Sequence, residues 1–201
     1  MSLIVAVTGG IGSGKSTAAR LFQERGAGLV DTDAIAHELT LTGRPALKQI
    51  VDRFGAEYLS SNGNLDRGKL RSLVFSAPEA RRHLEDILHP LIRLEVEAHV
   101  RRSSTTYTLV LIPLLVEGGG YRELAQRILV IDCDERVQVR RAILRGGLTE
   151  EQVGAIMQVQ ASRSERLALA DDVIHNDGTL KELASQVEVL DARYRELASA
   201  I

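Results

Sequence analysis

The sequence predicts an α/β fold in which helices cover both faces of a parallel β-sheet. Short runs rich in β-branched residues, typical of buried strands, alternate with stretches whose apolar residues recur at helical spacing. With 44% apolar and 26% charged residues, the 201-residue chain has the composition of an ordinary folded domain. The candidate strands are Leu3–Thr8, Leu29–Val30, Tyr107–Ile112, Ile128–Ile131 and Val173–Ile174.

Helical patterns follow the first strand and close the chain. Residues 15–25 carry apolar residues at helical spacing and stop at Gly26. At the end of the chain, apolar residues alternate in steps of three and four, which predicts one helix face packed on the sheet. Those residues are Leu180, Leu183, Val187, Leu190, Tyr194 and Leu197.

Residues 36–103 differ from the rest because they are rich in helical patterns and nearly free of strand patterns. Ser76 to Glu79 has the spacing of a helix capping box. Apolar residues at helical spacing follow, and Pro90 among them is expected to kink or restart the helix because proline lacks an N–H group. We predict that this stretch is a helical insertion.

Residues 135–168 form a second distinct stretch, with six arginines and no lysine. Thr149 to Gln152 is another capping box, which predicts two helices joined near Gly146–Gly147. Most of the arginines, Arg163 and Arg166 among them, are expected to be solvated surface charges. The remaining residues, 1–35, 104–134 and 169–201, are then the sheet-containing core.

Charge and cysteine content exclude several classes. A net charge of −2 and a pI near 6.2 give no general attraction for nucleic acids or anionic membranes. Cys133 is the only cysteine, so an intramolecular disulfide and a cysteine-rich zinc site are excluded. The apolar runs are too short to cross a bilayer, and the N-terminus lacks the pattern of a secretory signal. We expect a cytoplasmic monomer or weak homo-oligomer.

A glycine-rich turn follows the first predicted strand. Gly9–Ser16, GGIGSGKS, fits G-x-x-x-x-G-K-[ST] and leads into a predicted helix. In such a turn successive N–H groups point at one phosphate, and the helix N-terminus adds about half a positive charge. Lys15 is expected to reach the β- and γ-phosphates, and the Ser16 hydroxyl to hold Mg²⁺. The alternative is a glycine-rich turn that matches by chance.

Two carboxylates, Asp31 and Asp33, follow the second predicted strand. Ligands lie beyond the carboxyl ends of strands in parallel sheets, which places both near the phosphate-binding turn. One could accept a proton from an attacking hydroxyl, or both could arrange Mg²⁺ and its waters. The alternative is that Asp33 caps a helix beginning at Ala34 while Asp31 is solvated. Next to a phosphate-binding turn, we favour the first interpretation.

Together these residues resemble the dephospho-CoA kinase family. Thr8–Thr17 and Asp31–His37 carry the likeness, and further segments fit it in order and spacing from end to end. Those segments are Gly43–Leu47, Phe54–Gly55, Asn62–Arg67, Leu70–Arg71, Val74–Phe75, His89–Arg93, Pro113–Glu117 and Ala170–Gly178.

The resemblance implies a P-loop NTPase fold with three layers and a five-stranded parallel sheet. Residues 36–103 would then be a helical acceptor-binding domain, and residues 135–168 a helical lid. The implied reaction is the last step of coenzyme A biosynthesis, in which ATP phosphorylates the ribose 3′-hydroxyl of dephospho-CoA to give CoA and ADP. ATP and Mg²⁺ are the implied cofactors, and the partners are small molecules.

The resemblance also implies roles for individual residues. Asp33 would be the general base, Lys15 would neutralise charge between the β- and γ-phosphates, and Arg141 would close onto the nucleotide, with Arg145 on the same helix face. The nucleotide would be bound by Gly12, Ser13, Gly14, Lys15, Ser16, Thr17, Arg141 and Asn176.

Asn176 would contact the adenine, although Asn-Asp-Gly is also a turn pattern. The acceptor would be bound by Asp33, His89, Arg93 and Glu117. One departure from common versions of the family pattern is Ile156, four residues before Gln160, where an arginine is usual.

Two other functions compete with this one. Another small-molecule P-loop kinase would share the glycine-rich turn and the lid, but it is not expected to combine Phe54–Gly55 with His89–Pro90. A P-loop regulatory switch or GTP-binding module usually reads guanine with N-K-x-D, and the chain contains no such sequence.

Overall fold

The computed structural model describes residues 3–113, 115–118 and 122–201, apart from the side chains of Phe75, Glu117 and Arg122. The chain divides into two compact units. The first, called here the sheet unit, consists of Met1–Asp31 and His99–Ile201, and the second, the helical unit, consists of Thr32–Ala98.

Among the described residues, five parallel strands form one sheet: β1 (Leu3–Thr8), β2 (Gly28–Asp31), β3 (Tyr107–Leu111), β4 (Arg127–Asp132) and β5 (Asp172–His175). Their spatial order is β2-β3-β1-β4-β5. In the central strand, Val7 pairs with Leu111 on one side and with Leu129 on the other. All carboxyl ends therefore meet at one edge. The predicted α/β fold with a five-stranded parallel sheet is confirmed.

The helices belong partly to the sheet unit and partly to the helical unit. In chain order they are α1 (Lys15–Glu24), α2 (Thr32–Leu39), α3 (Pro45–Phe54), α4 (Arg67–Ser76), α5 (Pro78–Arg102), α6 (Leu115–Gly118), α7 (Glu135–Gly146), α8 (Glu150–Val159), α9 (Arg163–Ala168) and α10 (Leu180–Ser199), with 3₁₀ turns at Ala56–Tyr58 and Arg122–Leu124.

The core of the sheet unit lies between the sheet and helices α1 and α10. At its centre the ring of Phe22 is stacked 6.0 Å from Tyr194 and meets Tyr107 edge-on at 6.5 Å, and all three side chains are fully buried. Each such ring contributes about 2–3 kcal/mol to stability by leaving water. The two hydroxyls keep partners, since Tyr107 donates to Asp191 and Tyr194 donates to Asp172.

Helix α10 buries most of the apolar face predicted for it, with one exception. Leu183, Val187 and Tyr194 are buried, as the spacing predicts. Leu180 is 58% exposed, so its assignment to the packed face was wrong. It is the first residue of the helix, directly after the N-cap Thr179, and so lies at the end of the packed face.

The helical unit contains α2, α3, α4 and most of α5, and within its described residues the only β-type pairing is an isolated bridge between Leu59 and Leu65. Helix α3 buries Leu47 and Ile50, and α5 buries Ile92 and Val96. The unit therefore has an apolar interior of its own, made by helix faces.

Two predictions for this unit were wrong. Ser76 does not cap α5 but ends α4, where its hydroxyl donates to the carbonyls of Ser72 and Leu73. Helix α5 is unbroken over its 25 residues, Pro78–Arg102, so the expected restart at Pro90 was wrong, while the alternative of a kink there stays a prediction. Proline removes one backbone hydrogen bond, and the burial of Ile92 and Val96 beyond it favours continuing the helix.

Candidate active site

The loop between β1 and α1 has a backbone shape that only glycine permits. Gly12 (φ +71°) and Gly14 (φ +94°) lie in the left-handed region. A Cβ on Gly12 would lie 2.3 Å from the backbone oxygen of Gln138, and one on Gly14 would lie 2.2 Å from Nδ2 of Asn176. The loop could not pack against these neighbours if either position carried a side chain.

This loop ends in the free N-terminus of α1. Gly14 is the N-cap, and in the described structure no side chain caps the helix. The first N–H groups of a helix and its dipole attract an anion. Ser13 adds a second sign of a missing ligand, because its buried Oγ has no hydrogen-bond partner among the described residues. The loop therefore fits a phosphate group, including those of ATP.

Three amide side chains, which we call the amide brace, pack against the loop from elsewhere in the sheet unit. Asn176 donates from Nδ2 to the carbonyl of Ser13 at 2.7 Å. Gln160, at the end of α8, accepts from the N–H of Ile11 at 3.1 Å. Gln138 of α7 is buried against the loop and donates to the carbonyl of Cys133 at 2.7 Å. The brace ties the loop to α7, α8 and the residue after β5.

Lys15 folds back over the start of the loop. Its ammonium group donates to the carbonyl of Gly9 and, at 3.2 Å, to that of Gly10. The ammonium group therefore lies at the start of the loop, and the P-loop pattern predicts that it contacts the β- and γ-phosphates.

Helix α7 brings two of the predicted lid arginines to the same place. A cavity of about 600 Å³ is lined by Gly10–Thr17 of the loop and by Arg141, Ala142, Leu144, Arg145, Gly146 and Leu148. Arg141 donates from Nη1 to the carbonyl of Asn176 at 2.7 Å. Arg141 and Arg145 are four residues apart on one helix face, so both face the cavity.

Cys133 lies close to this cavity but is not prepared to react. It is buried, and Arg141 donates to its sulfur at 3.5 Å. Burial, with a further contribution from Asp177, raises the pKa of the thiol to about 11. The thiol therefore stays protonated at neutral pH, and a protonated thiol is a poor nucleophile.

The carboxylates at the end of β4 and just beyond it have structural partners. Asp132 is buried and accepts from Arg163 through both oxygens, at 2.8 and 2.6 Å, while His175 lies 3.2 Å away. Burial alone would raise the pKa of Asp132, but Arg163 and His175 together lower it below its ordinary value. Asp134 caps α7 by accepting from the N–H of Arg136.

The expectation that Arg163 and Arg166 are solvated surface charges was therefore wrong. Arg163 holds a buried carboxylate, and Arg166 is itself only 8% exposed. Both lie on the short helix α9, which the capping box at Ser162 fixes in place. The sequence shows the arginines but not which helix face turns inward.

The predicted acidic pair lies where β2 ends and α2 begins. Asp31 is the last residue of β2 and pairs in register with Leu111, and Asp33 lies exposed in the first turn of α2. Because α2 begins at Thr32, Asp33 is not the cap of a helix starting at Ala34, and that alternative is wrong.

The residues predicted to bind the acceptor lie on two helices. His89 and Arg93 are four residues apart in α5, on one face, and Arg93 donates to Glu97 at 3.2 Å. Glu117 belongs to α6, but its side chain lies outside the described part of the structure.

Sequence reasoning missed the roles of Gln138, Gln160 and Arg166. Gln138 shares a helix face with the buried Ala142, four residues on, and a polar residue on a buried face is a signal that could have been used. Gln160 and Arg166 act through tertiary contacts that no local pattern contains.

Comparison with known proteins decides the family. The family model for dephospho-CoA kinase matches residues 3–182. The dephospho-CoA kinase of Nitrosospira multiformis is 50% identical over 196 residues, covering 98% of this chain and 98% of the relative.

This chain belongs to the dephospho-CoA kinase family. It is accordingly an ATP-dependent kinase of coenzyme A biosynthesis with small-molecule substrates. Two solved structures agree. TT1252 from Thermus thermophilus has a TM-score of 0.84 at 32% identity, covering 96% of this chain and 97% of that one. The dephospho-CoA kinase from Campylobacter jejuni has a TM-score of 0.70 at 26% identity, covering 98% of both chains. The P-loop NTPase fold is thereby confirmed.

Across the described ranges, none of the helices combines the length and apolar character needed to traverse a membrane.

Replacing Gly12 with alanine tests whether the loop shape is required. We expect the affinity for ATP to fall about tenfold or more, because a side chain at this φ costs about 1–3 kcal/mol. Its Cβ would also press on the backbone oxygen of Gln138. Binding is measured by calorimetric titration with a nonhydrolysable ATP analogue.

The matched control is Gly154→Ala. Gly154 lies within α8, and a Cβ there meets no atom within 4 Å among the described residues. We expect unchanged binding and a gain of about 0.5–1 kcal/mol in the free energy of unfolding. Equal ATP affinity in the Gly12→Ala variant and the wild type would contradict the requirement for glycine.

Proposed function

We propose that this chain transfers the terminal phosphoryl group of ATP to the ribose 3′-hydroxyl of dephospho-CoA, giving CoA and ADP. The observation that carries the proposal is the glycine-shaped, uncapped loop before α1, with Lys15 folded onto it, in a member of the dephospho-CoA kinase family. We also propose that it works in the cytoplasm as a monomer or weak homo-oligomer, without nucleic acid or membrane partners.

The phosphates of ATP bind to the N–H groups of the loop and of the first turn of α1. Gly12, Ser13, Gly14 and Thr17 belong to this cradle, and all of them line the cavity beside α7. Lys15 reaches from Gly9 and Gly10 to the bridge between the β- and γ-phosphates. There it neutralises the negative charge that develops as the bond to the leaving phosphate breaks.

Ser16 suits a magnesium ion that accompanies ATP. Its hydroxyl is exposed in the first turn of α1 and lines the same cavity. Mg²⁺ takes few protein ligands and completes its shell with phosphate oxygens and water. When bound, it supplies positive charge to the phosphates, and Ser16 is the residue of this chain that would hold it.

Arg141 joins the phosphates from α7. Its guanidinium is held by the carbonyl of Asn176, which keeps it at the cavity wall, and Arg145 follows one turn later. A fork of N–H donors matches phosphate oxygens. In this proposal Asn176 serves the nucleotide in two ways, by holding the loop at Ser13 and by contacting the adenine.

Asp33 acts as the general base. It lies two residues beyond the carboxyl end of β2, the edge of a parallel sheet at which ligands bind. In its ionised form it accepts a hydrogen bond from the 3′-hydroxyl and aligns the oxygen for attack. Phosphoryl transfer has a loose transition state, so positioning matters more than the strength of the base.

His89, Arg93 and Glu117 are proposed to hold the acceptor. The two α5 residues share one helix face, so an imidazole and a guanidinium are presented one turn apart. Arg93 is suited to an acceptor phosphate, which would compete with Glu97 for its donors.

An ADP-release assay with Mg²⁺, ATP and a panel of acceptors tests the function. We expect ADP to form rapidly only with dephospho-CoA, with CoA identified by mass spectrometry, and only slowly with other nucleotides or sugars. Preferential binding of GTP without acceptor-dependent ADP formation would instead indicate a regulatory switch and refute the proposal.

Asp33→Asn tests the base. We expect kcat to fall about 10²-fold or more with little change in ATP affinity, the usual scale for a positioned acid or base. Asp52→Asn is the control, since Asp52 is an exposed carboxylate on α3 in the same unit. Near-normal turnover of the Asp33 variant would remove this residue from the role.

A further inference from the structure

Asn176 contacts its surroundings through its side chain and its main chain at once. Its Nδ2 atom donates to the carbonyl of Ser13 at 2.7 Å and lies 2.2 Å from the point where a Cβ of Gly14 would be. Its own carbonyl accepts from Arg141 of α7 at 2.7 Å. A small displacement of Asn176 would therefore disturb the phosphate-binding loop on one side and α7 on the other.

Strand pairing fixes Asn176 from one side only. The N–H of Asn176 donates to the carbonyl of Asp132 at 2.8 Å, which continues the alignment of β5 with β4. Strand β5 has already ended at His175, and α10 begins only at Leu180. The chain beyond Asn176 thus belongs to a connecting segment whose position the sheet does not determine.

The carboxylate of Asp177 anchors this connecting segment. Its Oδ1 atom accepts from the N–H of Asp134 at 2.6 Å. Asp134 is itself fixed, because it is the N-cap of α7 and its side chain accepts from the N–H of Arg136. Asp177 thereby ties the residue after Asn176 to the start of α7, the helix that packs Gln138 against the loop.

The charge of Asp177 gives this anchor a distinctive signature. Asp177 is exposed, and it is absent from the described residues that line the loop cavity. A negative charge near a site for a triphosphate weakens binding if it acts by charge alone, because like charges repel. Removing the carboxylate would then strengthen ATP binding, whereas removing a needed anchor would weaken it. The two roles predict changes of opposite sign.

We propose that Asp177 is a positioning residue of the nucleotide site, which acts by holding the Asn176 amide on the carbonyl of Ser13. With that amide in place, the N–H groups of the loop stay aimed at the phosphates. The inference rests on the proposed function, because it takes ATP to be the nucleotide that the loop binds.

Asp177→Ala is the first test, by calorimetric titration with a nonhydrolysable ATP analogue and by steady-state kinetics. We expect the affinity for the analogue to fall about tenfold, the scale of coupling within one hydrogen-bond network. The KM for ATP should rise with it, while kcat and the KM for dephospho-CoA change less than about twofold. An unchanged or increased affinity for the analogue overturns the inference.

Two further variants separate the anchor from charge and from general stability. Asp177→Asn keeps an oxygen that can accept from Asp134 but loses the charge, so we expect an affinity within about threefold of the wild type. Asp171→Ala is the matched control, because Asp171 is an exposed carboxylate that accepts from the N–H of Ile128 at 2.8 Å, at the opposite end of β4 and β5. It should leave the affinity for the analogue unchanged.

Either of two results in these variants refutes the anchor. A loss in Asp177→Asn as large as that in Asp177→Ala would show that the charge matters and the hydrogen bond does not. An equal loss in Asp171→Ala would show a general effect of loosening β5.

A double-mutant cycle tests whether Asp177 acts through Asn176. In an Asn176→Ala background the amide is missing, so adding Asp177→Ala should change the affinity for the analogue by less than about twofold. A full tenfold effect in that background overturns the inference. If Asn176→Ala does not fold, Asp177→Asn and Asp171→Ala decide the question by the criteria above.

Failure of the two proposals can be told apart. If the wild type binds the analogue and makes CoA while Asp177→Ala binds it equally well, the inference alone is overturned. If the wild type does not bind the analogue, both fail.

Discussion

The active site depends on one constraint: a short loop keeps its backbone shape only through contacts from distant parts of the chain. Gly9–Ser16 has left-handed backbone at Gly12 and Gly14, which any other residue would resist. Contacts from far along the chain fix it, with Asn176 bonded to Ser13 and Gln160 bonded to Ile11. The sheet contributes by placing β1 between β3 and β4, so that the loop emerges from the middle of the carboxyl edge.

The distribution of charge follows from this arrangement. Away from the loop, buried carboxylates of the sheet unit have cationic partners, as in Asp132 with Arg163 and Asp172 with Arg127 and Arg193. At the loop, Lys15 and Arg141 donate to backbone carbonyls. These carbonyls hold two cations beside the loop, and positive charge beside a loop of N–H donors suits a highly charged anion.

The sequence predicts the parts of this protein that local patterns encode. Buried strands and the P-loop depend on periodicity and on glycine spacing, which appear directly in the residues. Gln138, Gln160 and Arg166 were missed because their roles arise only when α7, α8 and α9 are folded against the loop. Ser76 does not cap α5, because it is the last residue of α4 and its hydroxyl donates to a carbonyl of that helix. Pro90 does not interrupt α5, because the packing of the helix outweighs the loss of one hydrogen bond.

The most direct test of the account is a crystal structure of the protein with a nonhydrolysable ATP analogue. We expect the phosphates on the N–H groups of Gly12–Ser16, with the loop backbone displaced by less than about 1 Å, as in preorganised sites. The hydrogen bonds from Asn176 to Ser13 and from Ile11 to Gln160 should persist. A nucleotide bound elsewhere, or a loop rebuilt with both of these bonds broken, would contradict a cradle formed in advance.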